Sequence, residues 1–437
     1  MSEFQVGLSR LRLPPFHRVR QRFPTPEVAD VSAAVRAAVA APEIAGRLRP
    51  GLVVGVAVGS RGIAGVAGIV ATLIAELKSH GCQVRIIPAM GSHGGGTVEG
   101  QLGVLTGYGV TAEAMGAPII NSLSTRQVGG LRYDAAAGDY LADASGAFPV
   151  PMSADALDCD LVVPVVRVKP HTGFRAPYES GICKMLAIGL GKHDGCSRYH
   201  REGYARFPAL IPAAARIVLA TGKIGFALAL VENAAEHTAR VEAVPAERIL
   251  QREPELLAEA KALMPRLLLP AIDVLVVERI GKEISGTGMD TNIIGRSEIG
   301  GPLAGGPTIH RIVVLGLSEA THGNAAGIGL ADLTTERAVA AIDRRVTYTN
   351  VLTSGSLAAG KIPVALPGDD EAILAATTLI PGLKPEDATI VRIRDTLHLG
   401  EIAVSENLLS VVRRTSAMDV LGPFSGVFTP PAVSSPH

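Results

Sequence analysis

Short unbroken apolar runs of strand length, each closed by glycine and polar residues and followed by a stretch with helical spacing, constrain this chain more than any other feature. Leu52 to Val58 is the first such run, and Val66 to His80 after it carries apolar residues at helical intervals. Cys82 to Pro88 reads as a second strand, residues from Gly96 as a helix, Pro118 to Ile120 as a short strand, and Asp160 to Val168 as another buried strand. A strand covered on both faces has no reason to alternate apolar with polar, so this rhythm predicts βαβ units around a largely parallel sheet. A further apolar run at Ile224 to Val231 precedes a long helical stretch, Ala246 to Met264, read as a bridge between domains. Beyond Pro265 and Pro270 a second set of strand-like runs follows at Ile272 to Val277, Ile309 to Leu317, Ile362 to Leu366 and Ala388 to Ile393, with helical stretches at Thr335 to Arg345 and Asp370 to Ile380.

With 437 residues the chain exceeds the roughly 250 to 300 at which one core stops growing, so two domains are expected. The fold class predicted is α/β: a catalytic and cofactor-binding domain over residues 1–270 and a smaller one over 271–437, both with largely parallel or mixed sheets and the active site in the cleft between them. The last twenty or so residues read as frayed. Lys and Arg number 41 against 41 Asp and Glu, which excludes the basic field of a nucleic-acid partner. Apolar runs fall short of the ~20 residues a bilayer span needs, and MSEFQVGLSRLRLPPF lacks a secretory core, so the expected place is the cytoplasm, away from membranes. The four cysteines, Cys82, Cys159, Cys183 and Cys196, form no C-x-x-C pair and read as buried or incidental thiols. Oligomeric state is left open, a homo-oligomer included.

In open α/β sheets ligands bind beyond the carboxyl ends of the strands. Three places there put His or Arg beside glycine: Gly59-Ser60-Arg61-Gly62, Gly91-Ser92-His93-Gly94-Gly95-Gly96-Thr97, and Lys169-Pro170-His171-Thr172-Gly173. Glycine lets the backbone approach a ligand, and a helix start beyond it offers N–H groups to an anion. Alone, GSHGGGT is as well explained by a flexible turn. The run Tyr178 to Gly191 is apolar around Lys184, which suits either a perturbed amine or a lysine reaching to the surface. His193 and His200 downstream could ligate a metal, although a lone histidine is more often a hydrogen-bonded surface residue.

These residues together resemble the nickel-dependent lactate racemase family, whose members carry a nickel-pincer nucleotide tethered to a lysine. GSRG, AMGSHGGGT, the His171 loop, SGICK with IGL and then His200, and GTGMDTN carry the resemblance across most of the chain. It implies Lys184 as cofactor attachment within Ser180-Gly181-Ile182-Cys183-Lys184, with Ser180, Gly181 and Ser92 at the cofactor and His200 on nickel. It further implies His93 and His171 as the two acid/base groups, and Arg61 with Asp290 and Asn292 at the substrate. The activity implied is racemisation or epimerisation of a small-molecule 2-hydroxy acid, with cofactor-synthesis enzymes as partners and a cofactor that purified protein need not carry. Inverting such a carbon is easier by hydride transfer to a cofactor than by deprotonation, and a histidine of pKa about 6.5 serves as acid or base on either face.

Departures from the family's pattern predict a changed substrate, not necessarily lactate. Val58 stands where the family has aspartate, Gly94-Gly95 where it has Arg-Pro, and Gly295 and Glu298 where it has glutamine and lysine. The loop from His171 to Lys184 is longer, with Arg175 and Glu179 in the added length, and Arg175, Arg198 or Arg296 could supply the displaced cation. In the second domain the segment 282–292, with Ser318 to Asn324 and Thr349-Asn350, could complete a pocket or be ordinary loop. The alternatives are a lyase or hydrolase on the same scaffold without the cofactor, or a non-enzymatic small-molecule-binding protein.

Overall fold

The computed structural model describes residues 8, 11–60, 62–297, 302, 303, 307–426 and 428. Its strands in chain order begin with β1 (Phe16–Gln21), β2 (Val53–Val58), β3 (Gln83–Pro88), β4 (Thr125–Asp134), β5 (Asp139–Ala142), β6 (Phe148–Ser153), β7 (Leu161–Arg167) and β8 (Phe226–Glu232). They continue with β9 (Thr238–Pro245), β10 (Ala271–Val277), β11 (Thr308–Val314), β12 (Leu333–Thr335), β13 (Val364–Leu366), β14 (Ile390–Ile393), β15 (Glu401–Ser405) and β16 (Met418–Pro423). Residues Pro24–Met264 form one compact unit, and the segment from Pro265 joins the N-terminal strand in the other.

The first unit holds a sheet in the order β3-β2-β7-β8-β9. All its pairs are parallel except β8 with β9. The runs predicted as doubly buried strands are so because each face meets its own core. Val54, Val56, Val58, Val163 and Val165 pack with the helices Val31–Ala40 and Val66–Ser79, while Ala57, Val162 and Val166 pack with Phe207–Ala220 and Ile249–Leu263. Each buried valine or isoleucine contributes roughly 1.5 to 3 kcal/mol, so loss of alternation in the sequence reflects two cores sharing one sheet. A small antiparallel sheet, β5-β4-β6, lies between β3 and β7 in sequence. Because β2 leads to β3 on one side and pairs with β7 on the other, the order in which strands are added reverses between β2 and β7, which themselves run parallel. Their carboxyl ends therefore open the crevice where a ligand is expected.

The second unit repeats the device. Its sheet runs β13-β12-β11-β10-β14-β15-β1-β16, parallel from β13 to β14 and antiparallel beyond. The reversal falls between β10 and β14.

Both units are α/β with parallel and mixed sheets, but the division of the chain differs from the expected 1–270 and 271–437. Residues Phe16–Gln21 pair with β15 and β16, roughly 380 to 405 positions away, so this strand belongs to the second unit. The helix Ile249–Leu263 packs on β8 and the Lys184 segment, and is an integral layer of the first unit and no bridge. The stretch Thr335 to Arg345 is two helices, Glu336–Ala340 and Arg344–Ser354, because the Asp343 carboxylate accepts the Val346 N–H and starts a new one. The end of the chain expected to fray begins with a paired strand, β16, and most of the rest lies outside the described residues.

Candidate functional site

At the β2/β7 reversal the two strand-end loops supply Ser60 and His171, and the loop after β3 supplies Ser92 and His93. The His171 loop is closed by Glu179, a fully buried carboxylate. It accepts the backbone N–H of His171 at 2.7 Å and of Ala176 at 3.2 Å, and ion-pairs with Lys261 at 2.7 Å and Arg175 at 3.6 Å. Arg175 also donates to the carbonyls of His171 and Phe174. The extra loop length thus forms its own clasp, and Arg175 is spent on it. Arg198 pairs with Asp194 on an exposed helix face, and Arg296 pairs with Asp332 and two carbonyls, so each of the three candidate cations already has an anionic partner.

The loop fixes His171 as well as placing it. The Gly173 N–H donates to His171 Nδ1 at 2.8 Å, and since a backbone amide can only donate, the neutral ring carries its proton on Nε2. His200 shows the opposite arrangement. Its Nδ1–H donates to the Cys196 carbonyl at 2.7 Å, one helical turn back, which leaves a lone pair on Nε2. Both rings flank Tyr204, with centroids 5.7 Å from it for His171 and 5.9 Å for His200, and Phe174 and Phe207 complete the aromatic wall.

Cys196 ties this pair to the third loop. Its Sγ lies 3.5 Å from His200 Nδ1 and 3.3 Å from Ser92 Oγ, beside His93 in sequence. Burial pushes the thiol up, yet hydrogen bonds from His200 and Ser92 outweigh it and hold the thiol below its ordinary value. Burial pulls His200 down, while the Cys196 thiol and carbonyl raise it more than the nearby Lys184 charge lowers it. Lys184 itself is half-buried and opens a stretch of π-helix, Met185–Gly189, in which the Leu190 N–H reaches back five residues to the Met185 carbonyl at 2.9 Å. Such widened turns are rare and are concentrated at functional sites. His93 is exposed, and its Nδ1 hydrogen-bonds the Ser60 hydroxyl; Tyr108 Oη steadies Ser60 through its carbonyl at 2.7 Å.

Ser92, His171, Lys184 and His200 therefore gather on one face of the first unit, with His93 on the same loop as Ser92. Ser180 exchanges backbone hydrogen bonds with Lys169, which pins the Lys184 segment to the His171 loop. Gly181 leaves room for a buried side chain, that of Glu253. Arg61 and Glu298 lie outside the described residues. Asp290 and Asn292 belong to the second unit, where the Asp290 carboxylate accepts both the backbone and side-chain N–H of Asn292 and caps the turn Thr291–Ile294.

Sequence reading passed over Cys196, Tyr204, Glu253 and Lys192. Lys192 is fully buried at positive φ, its Nζ donating to the Pro88 carbonyl at 2.8 Å and Asn121 at 3.2 Å, and burial brings it down to about 8. Two departures from the family's pattern are packing choices. Val58 is core, and a Cβ on Gly94 would fall 2.5 Å from the Gly100 backbone.

Among the described residues no three His, Cys, Asp or Glu side chains gather to hold a metal ion, and no helix is long and apolar enough to cross a membrane. No family profile matches the sequence, and no curated protein does. Solved structures do match. The lactate racemase apoprotein from Thermoanaerobacterium thermosaccharolyticum aligns over 86% of this chain and 94% of its own at a TM-score of 0.51 and 14% identity. A protein of Thermotoga maritima aligns over 65% and 69% at 0.44 and 13%. The chain shares the mixed α/β fold of the lactate racemase apoprotein, a distant structural relation.

Proposed function

We propose that this protein is an isomerase that racemises or epimerises a 2-hydroxy acid other than lactate, with a nickel-pincer nucleotide on Lys184 and His200 as the protein's ligand to nickel. The observation that carries the reading is the pair of imidazoles around Tyr204, one with a proton on Nε2 and one with a lone pair there, beside a half-buried lysine. A lone imidazole donor suits a metal whose other ligands arrive with an organic group, and the likeness of fold to a lactate racemase agrees. When bound, that group supplies an acceptor for the hydrogen leaving the substrate carbon.

The chain's own residues manage the hydroxyl proton. His171, locked by Gly173, begins as a donor at Nε2. His93 is adaptable, because the Ser60 hydroxyl can accept from Nδ1 or donate to it, so the ring can shift its proton without losing its partner. When Ser60 accepts, Nε2 of His93 is the base that takes the substrate proton. The aromatic wall and the Glu179 clasp keep the His171 ring from turning away.

Intact-mass measurement of protein made with the cofactor-synthesis enzymes tests this directly. A mass increment that maps to Lys184, with solvent deuterium entering a larger hydroxy acid, is expected; an unmodified chain that still turns such a substrate over would end the cofactor reading. The Ser60–His93 hydrogen bond favours a second reading, a hydrolase or lyase without the cofactor, in which Ser60→Ala abolishes an activity that unmodified protein already has.

A further inference from the structure

We propose that Glu253 is a positioning residue for Lys184: its carboxylate enters the space left by the missing side chain of Gly181 and holds the amino end of the turn that carries the lysine. The inference rests on the reading of Lys184 as the point of cofactor attachment. Glu253 is fully buried on the helix Ile249–Leu263. One oxygen, Oε2, accepts the Cys183 N–H at 2.7 Å, and the other, Oε1, has no partner and faces Gly181. A Cβ on Gly181 would stand 2.4 Å from Oε1, so only glycine admits the carboxylate here. The turn Ile182–Lys184 has no side-chain cap from its own chain neighbours; Glu253, seventy residues on, takes that part.

The same helix face makes two more polar contacts with the loop. Pro254 brings no N–H, and the Leu250 carbonyl four residues back accepts the Tyr178 hydroxyl at 2.6 Å. Lys261 reaches Glu179. Leu250, Glu253 and Lys261 are spaced by three and eight residues, which places them on one side of a helix. That side is a template on which both the His171 loop and the Lys184 turn are laid.

A packing role alone does not explain the choice of residue. Burial raises the Glu253 carboxyl to about 7 against the opposing pull of the Cys183 thiol and the Cys183 and Ile182 N–H groups, a cost that an apolar side chain filling the same space would not carry. The titratable and charged groups around it are the Cys183 thiol, Tyr178 on the loop, and Arg216 from the helix Phe207–Ala220, which acts on Tyr178 and Cys183.

The test is acetylation of the cofactor-free 437-residue protein with acetic anhydride, the Lys184 rate being read by peptide mass against the other lysines between about pH 6 and pH 9. Glu253→Leu, which keeps volume and removes the acceptor, should still fold, melting lower because the buried Cys183 N–H loses its partner, and change the Lys184 rate by roughly two- to tenfold, the worth of one hydrogen bond. Glu253→Gln should restore the rate and lose the inflection near neutrality that the carboxyl imposes. Gly181→Ala should imitate Glu253→Leu, and the double variant should be no worse than either. A Lys184 rate in Glu253→Leu equal to wild type at every pH overturns the proposal, as does full additivity of the two substitutions; if Glu253→Leu does not fold, a wild-type rate in Gly181→Ala overturns it alone. Because no cofactor is present, these results stand apart from the adduct experiment, whose failure would strike only the attachment reading.

Discussion

The two units build the same kind of crevice, at the β2/β7 reversal in one and the β10/β14 reversal in the other, and fill them differently. Beyond β10 and β14 the polar groups satisfy each other. Asp395, fully buried, accepts two bonds from Arg279 at 3.1 and 3.2 Å, His398 Nδ1 at 2.7 Å and two backbone N–H groups, and Glu278 takes Arg392 at 2.7 Å. Burial raises the Asp395 carboxyl, and His398 and Arg279 bring it below its ordinary value. Beyond β2 and β7 the two imidazoles are held instead by backbone groups, the Gly173 N–H on His171 and the Cys196 carbonyl on His200, while the charged pairs of Glu179 clasp the loop around them. Position in the fold nominates both places; the partners of the side chains differ, ion pairs on a buried carboxylate in one and backbone groups on imidazoles in the other.

The sharpest way to break that comparison is at the lysine. Lys184→Ala should abolish every covalent adduct while leaving the melting temperature near wild type, since the side chain is half-buried and not part of the core. Intact mass checks the first statement and a thermal melt the second. An adduct of unchanged mass would move the attachment elsewhere.

Next come the histidines, one from each crevice. His171→Ala should reduce turnover by about 10²- to 10⁴-fold, the usual range for a positioned acid or base, with modest loss of stability. His398→Ala should do the reverse: turnover per folded molecule stays, and stability falls by about 1 to 3 kcal/mol because buried Asp395 loses a partner. Steady-state kinetics with urea melts on both variants decides the matter, and a dead but stable His398→Ala protein would show that the second crevice is reactive too.

A smaller effect concerns Lys192, beneath the His93 loop. With its folded value brought down to about 8 from 10.5, the folded state sheds this proton before the unfolded chain does. Stability from this group is therefore present above the unfolded value and lost as pH falls through the folded one, so melts should strengthen from about pH 8 to 10.5 by up to roughly 3 kcal/mol. Lys192→Met should flatten that slope relative to wild type. A slope that survives the substitution would assign it to other groups.

How much of this was legible in sequence follows from what each residue depends on. β2 and β7 showed because two cores make a strand almost wholly apolar, β3 showed through Val84, Ile86 and Ile87 despite Gln83 and Arg85, and the histidines after β3 and β7 showed because strand ends are nameable from the runs alone. The sheet β5-β4-β6 did not, since its strands mix polar residues with Gly129, Gly130, Pro149 and Pro151. Nor did β1, whose sheet partners β15 and β16 are near the far end of the chain. Tyr204, Cys196 and Glu253 have meaning only through neighbours brought by folding; the one local hint was Pro254 beside Glu253 inside a strong helical pattern. For Cys196 the signal was present: it lies four residues before His200, the spacing that puts both on one helix face.

The least drastic prediction concerns substrate choice, where the second unit departs from the family's pattern. Gly295 stands where a glutamine would contact a small hydroxy acid, and the simple expectation is that restoring glutamine would restore lactate. The structure argues otherwise. Gly295 ends the turn Thr291–Ile294 at a φ of +67°, where a side chain is strained, and an added Cβ would lie 2.3 Å from the Pro307 carbonyl. Gly295→Gln should therefore lower stability by about 1 to 2 kcal/mol, from left-handed strain and the close contact. It should bring no gain in lactate exchange, because the backbone must move before the new side chain can reach any ligand. Urea melts combined with deuterium exchange into lactate on cofactor-loaded protein measure both. A stable Gly295→Gln variant with at least about tenfold faster lactate exchange, worth ~1.4 kcal/mol, would show that this turn is a specificity element and that the second unit is as adaptable as the first.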